Sequence, residues 1–225
     1  VSAARPAGRG APARPRPASA SKATPDKRRL ILDAAVQVFA RQGFHACRVS
    51  DIADEAGVAY GLVYHYFASK DEVLDTLFLE RWSVMLELIR EVDAQAIPVR
   101  EKLSAIASFI VDSYQHDPDL MKVIIVEVTR AANSFGNTHI DTIREAYDLI
   151  GGMITKAQAE GVFKAEIEPR FAAMAFYGAI EQLLTGWIFD LLPQGEQYFE
   201  RAKWLVVETV CGGLETRRDG GPTPD

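Results

Sequence analysis

Residues 44–67, FHACRVSDIADEAGVAYGLVYHYF, decide the fold of this chain. Positions 50–56 read as a short helix stopped by Gly57, a residue that can leave a helix through a left-handed turn. Val58 and Ala59 then lead into a second short helix over 60–66. In a pair built this way one helix can enter the DNA major groove while its partner rests on the backbone. Gly61, near the start of the second helix, removes a Cβ where a duplex would approach. Tyr60, Tyr64, His65 and Tyr66 supply hydroxyl and imidazole groups suited to phosphate oxygens and base edges, and Lys70 adds a charge one turn beyond. Phe67 also fits a core position.

Working outward, Thr24 and Pro25 predict the start of a helix over 25–42, with Thr24 as N-cap and Pro25 in the first turn. Its apolar stripe is Leu30, Ile31, Ala34, Ala35, Val38 and Phe39, and Gly43 closes it. On the other side, Ser69-Lys70-Asp71-Glu72 is a capping box opening a long helix to about residue 94. Leu74, Leu77, Phe78, Trp82, Met85, Ile89 and Val92 form its inner stripe. Further helices are expected at 99–115, 120–131, 139–160, 168–192 and 197–211, the last ended by Gly212-Gly213. The helix over 168–192 is apolar nearly all round, so both of its faces must be covered.

There is no strand alternation and no internal repeat. The expected fold is all-α, about nine helices: an N-terminal three-helix helix-turn-helix DNA-binding domain followed by a larger helical bundle for ligand binding and dimerisation. The expected divisions are a disordered basic arm at 1–23, the DNA-binding domain at 24–70, the larger domain at 71–215 and a polar tail at 216–225. A symmetric dimer needs a self-complementary surface, and the helices at 168–192 and 197–211 are its candidates.

Composition narrows the function. No apolar run approaches the roughly 20 residues of a membrane span, and positions 1–24 carry no hydrophobic segment of signal-peptide type, which predicts a cytoplasmic protein. Cys47 and Cys211 have neither CxxC nor Cys/His spacing, so no metal and no cofactor is expected. His45, His65, His116 and His139 are scattered, without an HExxH, Ser/His/Asp, GxGxxG or Walker pattern, and no enzyme is expected. His116-Asp117 with His139 and Asp141 is better read as solvated loop than as a surface metal site. The net charge of −6 hides an asymmetry, since positions 1–29 hold eight basic residues against Asp26 alone. That places the arm near a polyanion, while residues 26–70 are almost balanced, with six basic residues against five acidic.

Phe39, Gly43-Phe44, Asp51-Ile52-Ala53, Ala56-Gly57-Val58, Gly61, Val63-Tyr64, Tyr66-Phe67 and Ser69-Lys70 together resemble the N-terminal signature of the TetR/AcrR family of bacterial transcriptional regulators. The resemblance covers about residues 27–74 and implies a homodimer that reads a palindromic operator in double-stranded DNA. It implies that Arg48, Val49 and Ser50 begin the first helix of the pair against a phosphate. It places Tyr60 and Gly61 where the recognition helix meets bases, and Tyr64, His65 and Lys70 against the backbone. Two positions depart from it: Arg48 and Ala59 stand where many members carry Thr or Ser, and Ala59 leaves its helix without a side-chain cap, a loss of about 1 kcal/mol.

The same resemblance implies an inducer pocket between the long helices. Apolar residues with a few polar groups among them are the candidates for its lining: Trp82, Met85, Phe109, Met121, Ile124, Glu127, Val128, Tyr147, Tyr177 and Glu181. Glu127 and Glu181 need a partner, either Arg130, Arg144 or a ligand group. The central stretch and residues 120–130 look similar to family members that repress fatty-acid degradation genes and sense long-chain acyl-CoA. The expectation is a ligand-responsive repressor released by a small apolar or amphipathic inducer. The alternatives are a regulator of an efflux or other catabolic operon sensing a different hydrophobic molecule, and an architectural DNA-binding protein without a sensor.

Overall fold

In a computed structural model, which describes residues 26–127 and 137–216, these periodicities resolve into nine α-helices. α1 (Lys27–Gln42) starts at Asp26, whose carboxylate accepts the Arg28 amide, and ends at Gly43 with φ 82°. The cap is therefore Asp26, while Thr24 and Pro25 lie outside the described residues, as does the arm. α2 (Val49–Glu55) and α3 (Tyr60–Tyr66) are joined through Gly57 at φ 62°. A Cβ at Gly57 would meet nothing within 4 Å, so the requirement for glycine there comes from the backbone angle, not from crowding.

α4 (Lys70–Asp93) opens as the capping-box pattern predicts, with the Ser69 hydroxyl accepting the Glu72 amide at 3.1 Å. The Glu72 carboxylate, however, accepts the amide of Ala68, one residue earlier than expected, and so secures the chain leaving α3. α5 (Val99–His116) ends at Asp117, which also caps the next helix by accepting the Leu120 amide at 2.9 Å. That cap, with Pro118 in the first turn, starts α6 (Pro118–Lys122) two residues earlier than the 120–131 helix of the sequence reading. α6 then widens into a π-helical turn, Val123–Glu127. Val128 and Arg130 lie outside the described residues, as does the loop expected at 133–137 except for Asn137, which already begins the next helix.

α7 (Asn137–Ala159) and α8 (Pro169–Ile188) follow, the latter capped by Glu168. α8 stops at Ile188, not at 192. The amides of Leu191 and Leu192 both turn back onto the Gly186 carbonyl, Asp190 takes φ 54°, and the Trp187 indole N–H donates to the Pro193 carbonyl. Gly186 makes this reversal possible, because a Cβ there would lie 2.7 Å from Leu192 Cδ1. α9 (Glu196–Leu214) runs through Gly212-Gly213 instead of ending before them. Buried Cys211 and Leu214 hold that last turn, and its carbonyls find donors: the Lys164 amide on Leu214 and the Lys164 ammonium on Gly213. Tertiary packing overrides the low helix propensity of glycine there.

Among the described residues the extended pairing is a single isolated bridge, Phe163 with Glu215, and the structure is all-α. Ile31, Leu32, Ala35, Val38 and Phe39 of α1, with Ile52, Ala53, Val63 and Phe67, are buried in one continuous core that runs on into the larger bundle. The predicted inner stripe of α4 is buried throughout. α7 packs on α4 and α8, α9 packs on α5 and α8, and α1 meets α4, α6 and the π turn. No helix among the described residues is long and apolar enough to cross a membrane.

Candidate functional site

The outward face of α3 is set by what its inward face buries. Val63 and Phe67 are 1% and 3% exposed, which turns Tyr60, Gly61, Tyr64, His65 and Tyr66 to solvent. The Tyr60 and Tyr64 rings meet edge to face, with their hydroxyls 3.2 Å apart. Ala59 forms no side-chain cap, as expected for alanine. Arg48 is exposed, with its amide donating to the Asp51 carboxylate at 2.9 Å, while Val49 and Ser50 are half-buried beside it. That bond, together with one from Gln42, holds the Asp51 carboxyl below its ordinary value. The side chains sequence reasoning assigned to DNA are thus exposed or half-buried, with one differently engaged. The Lys70 ammonium is engaged inward, donating to the carbonyls of Phe44 (2.8 Å), Cys47 (3.0 Å) and His45 (3.3 Å) and lying over the Phe44 ring. It clamps the loop before α2 to the start of α4.

Further ties join this unit to the rest. Arg28 of α1 pairs with Glu80 of α4 at 2.8 Å, and the Arg28 guanidinium also lies over the Phe67 ring. Lys122, at the end of α6, donates to the Ala40 carbonyl in the last turn of α1, where a cation is favoured by the helix dipole. These bonds tie α1 to both α4 and α6.

Within the larger bundle the structure brings part of the predicted pocket lining together. Trp82 of α4 meets Tyr177 of α8 at a ring separation of 5.7 Å, and Tyr147 of α7 meets Tyr177 at 5.8 Å. Met85, Met121 and Ile124 are buried, and Phe109 is half-buried. The Glu127 side chain and Val128 lie outside what is described. Arg144 pairs with Asp141 one turn away. Burial raises the Glu181 carboxyl above its ordinary range. Burial likewise raises the Tyr177 phenol, with Glu181 and Tyr147 adding to the effect and Arg81 opposing it.

Arg81 is the residue that the sequence reading missed. Its guanidinium lies 4.7 Å from the centre of the Phe109 ring, and its Nη2 is buried without a hydrogen-bond partner among the described residues. Beside Glu80 on an amphipathic helix it looks like an ordinary solvent-facing charge, and no local signal marks it. His139 corrects the sequence reading in another way: 6% exposed, it packs on Phe78 with a ring separation of 4.5 Å and faces Asp75, so it is not solvated loop. Among the described residues no group of His, Cys, Asp or Glu is arranged to hold a metal ion.

A helix-turn-helix unit with an exposed aromatic reading face, rooted in a long helix that enters a second bundle, defines a DNA-binding regulator. Residues 31–77 match the model of the bacterial regulatory proteins, tetR family, and residues 78–199 match that of the YsiA-like protein, C-terminal region. The chain belongs to the TetR family of transcriptional regulators. It is 32% identical to the fatty acid metabolism regulator protein of Bacillus subtilis over 71% of this chain and 82% of that one. The fatty acid degradation regulator FadR of Bacillus halodurans superposes with a TM-score of 0.76 at 28% identity, over 87% of this chain and 100% of that one. FadR of B. subtilis, solved in complex with stearoyl-CoA, superposes with a TM-score of 0.73 at 26% identity, over 83% and 99%.

Proposed function

We propose that this protein is a dimeric repressor that binds a palindromic operator through α2 and α3 and is released by a long-chain acyl-CoA held in the larger bundle. The observation that carries the reading is the similarity to FadR of B. subtilis, a protein solved in complex with stearoyl-CoA, which continues beyond the DNA-reading unit through the larger bundle. Residues 24–70 serve as the DNA-binding domain and 71–215 as the sensor. Arg48, Tyr60, Gly61, Tyr64 and His65 face the duplex, and Lys70 contributes by fixing the loop that carries Arg48.

The dimer seam is the α8–α9 face. Ala179, Gln182, Leu183 and Gly186 line one wall of an apolar cleft of about 510 Å³, with Leu205, Val206, Thr209 and Val210 opposite. Leu205 is 47% exposed and Leu191 73%, surface that a second copy would remove from water. Release follows if the effector binds better to an α4 setting in which the two reading units no longer match half-sites ~34 Å apart; its differential affinity limits the switch.

Gel-shift titration of the purified dimer on an operator selected from random duplexes tests this. Release by acyl-CoA of a defined chain-length range, with coenzyme A alone inert, is the expected result. Retention of the complex at every chain length removes acyl-CoA as the effector.

A further inference from the structure

We propose that Arg81 is the polar anchor of the effector site, its guanidinium receiving the acyl carbonyl oxygen of the ligand while the aromatic groups around it hold the first part of the chain. This rests on the sensor reading above and names the side chain that would recognise the ligand's polar group.

Three observations converge on it. The Arg81 side chain is half-buried, with the Asp117 carboxylate near enough to favour its charge, yet its Nη2 is itself buried and lacks an acceptor, and such a donor is costly enough that a native structure seldom keeps one without a use. Its neighbours on the inner side are aromatic and donor-rich: Phe109 under the guanidinium, Tyr177 close enough to feel its charge, and Tyr147 and Trp82 against Tyr177. Such a group stabilises an oxygen with lone pairs and an apolar body, which is the chemistry of an acyl carbonyl.

The outer side of Arg81 argues for the direction of approach. There it lines a cleft of about 540 Å³ between α1, α4 and the first turn of α6, whose rim carries Asp33, Glu80, Asp117 and Asp119. Arg29 lines that cleft too and pairs with Asp33, but four carboxylates against Arg29 and Arg81 leave the lining acidic, so phosphates are disfavoured there and the oxygen reaches Arg81 from the aromatic side. Arg81 sits one residue beyond Glu80, which holds Arg28, so an oxygen drawn to the guanidinium acts on the segment of α4 that anchors α1.

The experiment compares wild type, Arg81→Met and Arg81→Lys as full-length dimers, in two measurements. In gel-shift titrations each is challenged with acyl-CoAs from octanoyl to arachidoyl, the matching free fatty acids, and coenzyme A alone. Arg81→Met should bind operator as wild type does but need about 10- to 100-fold more acyl ligand for release, with Arg81→Lys between them. Response to acyl-CoA but not to free fatty acid assigns the oxygen to a thioester, and the reverse assigns it to a carboxylate.

The second measurement is the melting temperature without ligand. A guanidinium held without an acceptor destabilises the unliganded protein, so Arg81→Met should melt about 2–4 °C higher than wild type. Release of Arg81→Met at the wild-type ligand concentration, or a lower melting temperature, overturns the inference; the latter means a structural arginine served by water. If wild type responds to no acyl compound, the acyl-CoA reading fails on its own. The anchor then stands or falls on the melt, and on whether Arg81→Met loses response to the apolar carbonyl compound that does release wild type.

Discussion

Lys70 and Arg81 stand three turns apart on α4, and their surroundings are opposite. Lys70 has three backbone carbonyls for its three N–H donors, while Arg81 keeps a buried N–H with no acceptor. The contrast extends to the regions they serve. The DNA-reading unit carries its polar groups outside, on α3 and at Arg48, where water solvates them until DNA arrives. The sensor bundle carries Tyr147, Tyr177, Glu181 and Arg81 inward, where an unmatched group costs stability. A cation that is fully partnered marks architecture, while a buried N–H without an acceptor calls for an explanation, which the proposed ligand oxygen supplies.

The strongest way to break this comparison is through the core of the reading unit. Phe67→Ala removes a ring that is 3% exposed and lies beneath Arg28, and should cost about 3–5 kcal/mol, with loss of operator binding. Thermal melting and gel shift together check it, and an unchanged melt would mean that the exposed face of α3 does not depend on its buried one. Next comes Lys70→Met, expected to cost about 2 kcal/mol because three carbonyls lose their donor in a partly exposed site. If Lys70 is architectural, operator affinity should fall with little change in the salt dependence of binding. A salt slope lowered by about one per subunit would instead make Lys70 a phosphate contact.

Gly186→Ala probes the bundle. Its new methyl would displace Leu192 from the reversal after α8, at a cost of about 1–2 kcal/mol, and should weaken self-association in sedimentation equilibrium. Unchanged dimerisation would move the seam away from this end of α8 and α9.

The smallest effect is at the far end of α4. The Asp93 carboxylate accepts from Lys156 of α7 at 2.7 Å and lies 3.4 Å from Lys102 of α5, and the bond from Lys156 lowers its pKa. A lowered folded-state value stabilises the protein above the ordinary carboxylate range, and the gain is lost as pH falls through the lowered value. The stability difference between wild type and Asp93→Asn should therefore be present near neutrality, under about 1 kcal/mol for so open a site, and shrink below about pH 4. A difference that grows on acidification would contradict the assignment.

Much of this was legible in the chain because it depends on neighbours in sequence. The helix pair around Gly57, the Ser69 cap and the stripe of α4 follow from backbone angles, local hydrogen bonds and 3.6-residue periodicity. The misreadings share one cause. Gly212-Gly213 looks like a helix end until Lys164, distant in sequence, supplies donors to its carbonyls. Lys70 looks like a free surface charge until the loop at 44–47 folds under it, and 168–192 looks continuous until Leu192 turns back on Gly186.

By itself, then, the sequence determined an all-α chain with a reading helix whose tyrosines face outward, because Val63 and Phe67 leave them no other side. Tertiary structure alone decided which of its cations are engaged. The partners of Lys70 lie more than twenty residues away, and the half-buried guanidinium of Arg81 lies over Phe109 of another helix. Burial and hydrogen-bond satisfaction are properties of the packed chain, and they separate a lysine that holds the reading unit in place from an arginine set to receive a ligand.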